Sequence, residues 1–150
     1  MQTLVALLRR ATQTGILMAA TLGMAIDPPA PPRPPTLKLP VTARYVTVAE
    51  ARELLKAGTL GGIVDVRTPE EATGNRHLPR ARFVNLFVSN FDESILRLEL
   101  DRSRPCLVYC ALGGRAARAA MRMDALGFKD LLVLQGGFEA WLRQGGEFGE

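Results

Sequence analysis

With 150 residues, 47% of them hydrophobic, the chain has room for one domain with a substantial core. Its formal charge of +4 includes Arg9 and Arg10; without them seventeen basic residues face fifteen acidic ones, a surplus too small to indicate a nucleic-acid-binding protein. A disulfide framework is excluded too, because the two cysteines, Cys106 and Cys110, lie four apart in an extended run. Their Cα atoms would be roughly 13 Å apart at ~3.3 Å per residue, and a bridge needs less than about 7 Å.

Residues 1–25 contain no acid and read as an address. Arg9 and Arg10 close a basic region, Gly15 to Gly23 form a short apolar core, and Gly23-Met24-Ala25 offers small residues for cleavage. This predicts a secretory signal peptide and an exported, periplasmic protein. The apolar run falls short of the about 20 residues of a membrane span; an uncleaved N-terminal membrane anchor and an acid-poor organellar transit peptide stay open as alternatives. Residues 26–41 hold seven of the ten prolines, which predicts an extended, polyproline-like linker; a ligand for a proline-reading domain is the sharper alternative. The folded domain is expected over residues 42–150.

Within it, Arg44-Tyr45-Val46 reads as a strand, and Thr47-Val48-Ala49-Glu50 as a capping box opening a helix that Gly58 stops. Gly62 to Val66 reads as a central strand. Thr68-Pro69-Glu70-Glu71 carries the signals of another helix start, with Thr68 as cap and Pro69 in the first turn. His77-Leu78-Pro79 reads as a turn, Arg82 to Asn85 as a short strand, Phe91 to Leu98 as a helix and Pro105 to Tyr109 as a buried strand. The next helix presents Ala116, Ala119, Ala120, Met123 and Leu126 on one stripe, with Arg115, Arg118 and Arg122 along its flank. Leu131 to Leu134 is the last strand, and Gly136-Gly137 leads into a final short helix. Strands alternating with helices predict an α/β fold, a parallel sheet covered on both faces, with functional loops at the carboxyl ends of its strands.

Cys110-Ala111-Leu112-Gly113-Gly114-Arg115 joins the strand ending at Tyr109 to the alanine-rich helix. A cysteine in that place faces the positive end of a helix dipole, where free N–H groups favour a thiolate. Gly113 and Gly114 can take positive φ and turn successive N–H groups inward, and Arg115 adds a planar, permanently charged fork. The pattern predicts a nucleophilic cysteine in a cradle for one small anion; an ordinary βα turn with a buried thiol is the alternative. Cys106 reads as a small core residue. Asp65 and Arg67, with Glu70 or Glu71 near, read as ion pairs that hold the strand-end loops. His77, the single histidine, has no second base or ligand near it in the sequence and reads as structural, so no metal and no cofactor is expected. Phe138 and Trp141 read as core packing.

Four blocks in order resemble the rhodanese family of sulfurtransferases in a single-domain version: Asp65-Val66-Arg67 with Pro69-Glu70-Glu71, His77-Leu78-Pro79-Arg80-Ala81 with Asn85, Cys110 to Arg115, and Leu134 to Trp141. The family's pattern usually has glycine where Arg76 and Arg80 stand here. The resemblance implies a three-layer α/β/α fold around a five-stranded parallel sheet. It also implies a two-step reaction in which Cys110 takes a sulfane sulfur from thiosulfate or a similar donor as a persulfide, then yields it to cyanide or a thiol. Ala111 to Arg115 would bind the donor, Arg118 would widen the positive field, and a thiol reductant protein would be a partner in an exported setting. A non-catalytic persulfide carrier is the alternative. Cysteine phosphatases that resemble this fold have a loop one residue longer between nucleophile and arginine, so the four residues between Cys110 and Arg115 favour sulfur over phosphate chemistry.

Overall fold

The computed structural model describes residues 37–149 apart from residue 75. The targeting segment expected over residues 1–25 and the linker as far as residue 36 lie outside the described residues. Five strands, β1 (Ala43–Val46), β2 (Gly62–Asp65), β3 (Arg82–Phe83), β4 (Cys106–Tyr109) and β5 (Leu131–Leu134), pair in parallel in the order β1-β5-β4-β2-β3. Four helices accompany them: α1 (Val48–Ala57), α2 (Phe91–Arg97), α3 (Gly114–Ala125) and α4 (Gly137–Arg143).

The apolar run of β4 is buried on both faces because side chains alternate across a strand. Cys106 and Val108 point into one core with Phe91 and Ile95 of α2 and the alanine stripe and Met123 of α3. Leu107 and Tyr109 point into the other, with Val48 and Ala51 of α1 and Phe138, Ala140 and Trp141 of α4. Two helices therefore cover each face, and β4 runs through the middle of a three-layer α/β/α sandwich. In its core the Cys106 thiol is pushed up to about 12 by burial and stays free. Trp141 is buried as expected, its Nε1–H donating to the Glu147 carbonyl at 2.8 Å.

The helix boundaries follow local chemistry in α1. Thr47 Oγ1 accepts the Glu50 N–H at 3.2 Å, Glu50 Oε2 accepts the Thr47 N–H at 2.7 Å, and Gly58 closes the helix at φ 64°. The helix expected to start at Thr68 does not form; the segment makes only a turn. Glu71 folds back on the Thr68 N–H at 3.0 Å as a capping residue would, but Arg67 Nη1 donates to the Glu71 carbonyl at 3.0 Å. That bond ties the Glu71 carbonyl to the buried guanidinium, and Gly74 at φ 67° turns the chain away.

Arg80, where the resemblance leads one to expect glycine, has φ 60°, and its Nη2 donates to the Leu55 carbonyl at 3.2 Å. A left-handed conformation costs a residue with a Cβ about 1–2 kcal/mol. Arg80→Gly should therefore raise stability by about 1 kcal/mol despite the greater freedom of glycine in the unfolded chain, read as a higher urea midpoint at unchanged slope.

Candidate active site

Cys110 follows the last residue of β4 and is 1% exposed. Gly113, at φ 108°, turns its N–H onto the Cys110 sulfur at 3.0 Å, and α3 starts at the next residue, its first-turn N–H groups unpaired within the helix as at every helix start. The loop is gripped from behind by α4: the Phe138 N–H donates to the Cys110 carbonyl at 2.8 Å and the Glu139 N–H to the Ala111 carbonyl at 3.0 Å. This grip requires Gly137, at φ 58°, since a Cβ there would overlap those same carbonyl oxygens.

The expected supporting pair, Asp65 and Arg67, is buried and hydrogen-bonded throughout. Arg67 Nη2 meets Asp65 Oδ2 at 2.7 Å, and its Nε meets both carboxylate oxygens at 3.0 Å. Its Nη1 and Nη2 also reach the carbonyls of Glu71 and Arg76, and its guanidinium carbon lies 4.1 Å from the Phe138 ring centre. Burial works to lower the Arg67 pKa, but the bonds and charge of Asp65 outweigh it and the pKa is raised overall. Tyr109, next to Cys110, donates its hydroxyl to Asp65 Oδ2 at 2.8 Å and accepts the Leu78 N–H at 3.1 Å. The pair thus acts on the loop ends and does not touch the Cys110 sulfur. His77 also serves the backbone, its Nδ1 lying 2.9 Å from the Leu78 carbonyl.

Arg115 is where the structure adds most to the sequence reading. Its two terminal nitrogens grip the Glu71 carboxylate, Nη1 on Oε2 and Nη2 on Oε1, each at 2.6 Å. The guanidinium holds the Glu71 carboxyl at about 2, well below its ordinary 4.5. Phe87 lies beside it, ring centre 5.9 Å from the guanidinium carbon. The partner of Arg115 is thus an acid of this same chain, 44 residues away. Nothing in the local sequence signals this pairing, nor the roles of Phe87 and Gly137.

The mouth of the site is an open depression of ≈ 390 Å³ lined by Leu37, Cys110, Ala111, Leu112, Gly114, Arg115 and Arg118. Arg118 is exposed and, among the described residues, has no acidic partner. A smaller depression of ≈ 280 Å³ beside Trp141 is lined by Arg52, Lys56, Arg80 and Glu147 among others and holds no thiol.

The model of the rhodanese-like domain matches residues 47–144. The chain belongs to the rhodanese family. It is 33% identical over 99 residues to a probable adenylyltransferase/sulfurtransferase, MoeZ, of Mycobacterium tuberculosis, the match taking in 66% of this chain but only 24% of that protein. It is 30% identical over 92 residues to the thiosulfate sulfurtransferase GlpE of Pseudomonas syringae, covering 61% of this chain and 80% of GlpE. Among solved structures, the rhodanese-like domain protein of Staphylococcus aureus superposes with a TM-score of 0.55 at 26% identity, over 69% of this chain and 93% of that one.

Two outcomes follow for this rhodanese domain. Gly137→Ala should cost at least about 2 kcal/mol of stability, from the left-handed backbone plus the overlap with the loop, measured by chemical denaturation. Because the folded-state carboxyl of Glu71 lies near 2 against 4.5, its pairing stabilises the fold fully above the ordinary value and loses that effect as pH falls toward 2. The gap in denaturation midpoint between wild type and Glu71→Gln should narrow steadily between about pH 6 and about pH 2.

Proposed function

We propose that this domain is a sulfurtransferase that carries one sulfane sulfur on Cys110. The observation behind the reading is the contact of the Gly113 N–H with the Cys110 sulfur at 3.0 Å, in a depression that Arg115 also lines. A main-chain donor already aimed at the sulfur suits negative charge that develops on a sulfur carried there. In the first step the thiolate attacks the outer sulfur of a donor such as thiosulfate; a sulfur–sulfur bond forms to Cys110 and sulfite departs with the electron pair of the broken bond. In the second, a thiol or cyanide attacks the outer sulfur of the persulfide and restores the thiolate. The names of MoeZ and GlpE support sulfur transfer as the reaction class.

The acid-free residues 1–25 and the proline-rich linker support an exported, periplasmic protein in which a thiol reductant keeps Cys110 free. The four-residue spacing between Cys110 and Arg115 supports sulfur transfer over phosphate hydrolysis. Treating the protein with a sulfane sulfur donor should add one sulfur, roughly 32 Da, to Cys110. Cyanide should remove that mass, and Cys110→Ser should abolish the gain. An adduct that forms but that no acceptor discharges catalytically would favour a carrier, and Cys110-dependent hydrolysis of a phenyl phosphate would overturn the assignment.

A further inference from the structure

We propose that Glu71 selects the sulfur donor, closing the Arg115 fork to a sulfonate head group and directing Cys110 toward organic persulfides. The proposal rests on the reading of Cys110 as a sulfur-accepting thiolate.

A guanidinium binds an oxyanion best through two parallel N–H groups, and in this chain both terminal nitrogens are taken by the Glu71 carboxylate at 2.6 Å. Glu71 is itself held by the Thr68 N–H, which donates to the same Oε2 at 3.0 Å, and its carboxyl stays ionised down to about 2. Thiosulfate, a dianion, would have to displace a charge-assisted pair to use Arg115, and in doing so would place its oxygens beside a carboxylate. Exposed Arg118 is then the one cation of the mouth without an acid on it among the described residues. The rim offers the opposite to a carbon skeleton. Leu112 is 56% exposed, Phe87 63% and Leu37 38%, all close about Arg115 or Cys110. Apolar side chains left open at a catalytic mouth gain by covering the aliphatic part of a ligand, and a sulfonate supplies none.

An organic persulfide R–S–SH satisfies both conditions. The Cys110 thiolate donates a lone pair to its outer sulfur, forming Cys110–S–SH. The donor's own sulfur–sulfur bond breaks, and its electron pair leaves on R–S⁻. Charge and protons balance with no further oxidant or reductant.

The test compares second-order rate constants for loading Cys110 in the full chain, with thiosulfate and with cysteine persulfide as probes, in wild type, Glu71→Gln and Glu71→Asp. Wild type should load faster from cysteine persulfide. Glu71→Gln should raise the ratio of the thiosulfate to the persulfide constant about tenfold, through KM for thiosulfate more than through kcat. Glu71→Asp keeps the charge and should move the ratio less. A wild type that prefers thiosulfate, or a ratio unmoved in Glu71→Gln, would overturn the role of Glu71. Should the variants not fold, the wild-type preference decides alone. Loading from neither donor would instead sink the sulfur-transfer reading itself.

Discussion

The buried pair between Asp65 and Arg67 is the interaction on which the functional edge of the sheet depends. Two charges at 3% and 2% side-chain exposure could not remain there unpaired. Each guanidinium nitrogen of Arg67 is used: on Asp65, on the carbonyl of Glu71 and on that of Arg76. Asp65 in turn receives the Tyr109 hydroxyl, and Tyr109 receives the Leu78 N–H. One ion pair thereby joins the end of β2, the end of β4 and the excursion that leads to β3. Removing either partner would strand a buried charge, at a cost on the order of 3–5 kcal/mol.

The Cys110 loop inherits its position from this network and from α4. Tyr109 is anchored immediately before Cys110, the carbonyls of Cys110 and Ala111 are held by the opening N–H groups of α4, and α3 begins three residues after Ala111. Main chain holds main chain on both sides of the sulfur, so the Gly113 N–H is aimed at it without relying on a flexible side chain. Such preorganisation is what electrostatic stabilisation of an anion requires, since donors already oriented need not reorient when charge develops.

The charge balance of the site is more even than the motif suggests. Cys110 and Arg115 lie beside the turn that carries Glu71, and the turn is shaped by Arg67 taking the Glu71 carbonyl. The residue whose carbonyl sits on Arg67 is the one whose side chain reaches Arg115 of the Cys110 loop. The departure from local preference and the feature most specific to this site are thus one event, since a Glu71 continuing in a helix would not have its carbonyl on Arg67.

Short-range signals in the sequence determined most of the architecture. The unbroken apolar run of β4 placed it between two cores, the reciprocal bonds of Thr47 and Glu50 started α1, and the strand–glycine–arginine–helix order located Cys110 and its Gly113 contact. These rest on contacts within a few residues of one another, where periodicity and capping carry the information. Tertiary structure alone decided that Glu71 takes both donors of Arg115, that Gly137 must lack a side chain so α4 can close on Cys110, and that the Thr68 segment stays a turn. Each of those depends on side chains or backbone brought together across crossovers of tens of residues. The reach of a guanidinium or the clearance for a Cβ exists only once the strands are ordered.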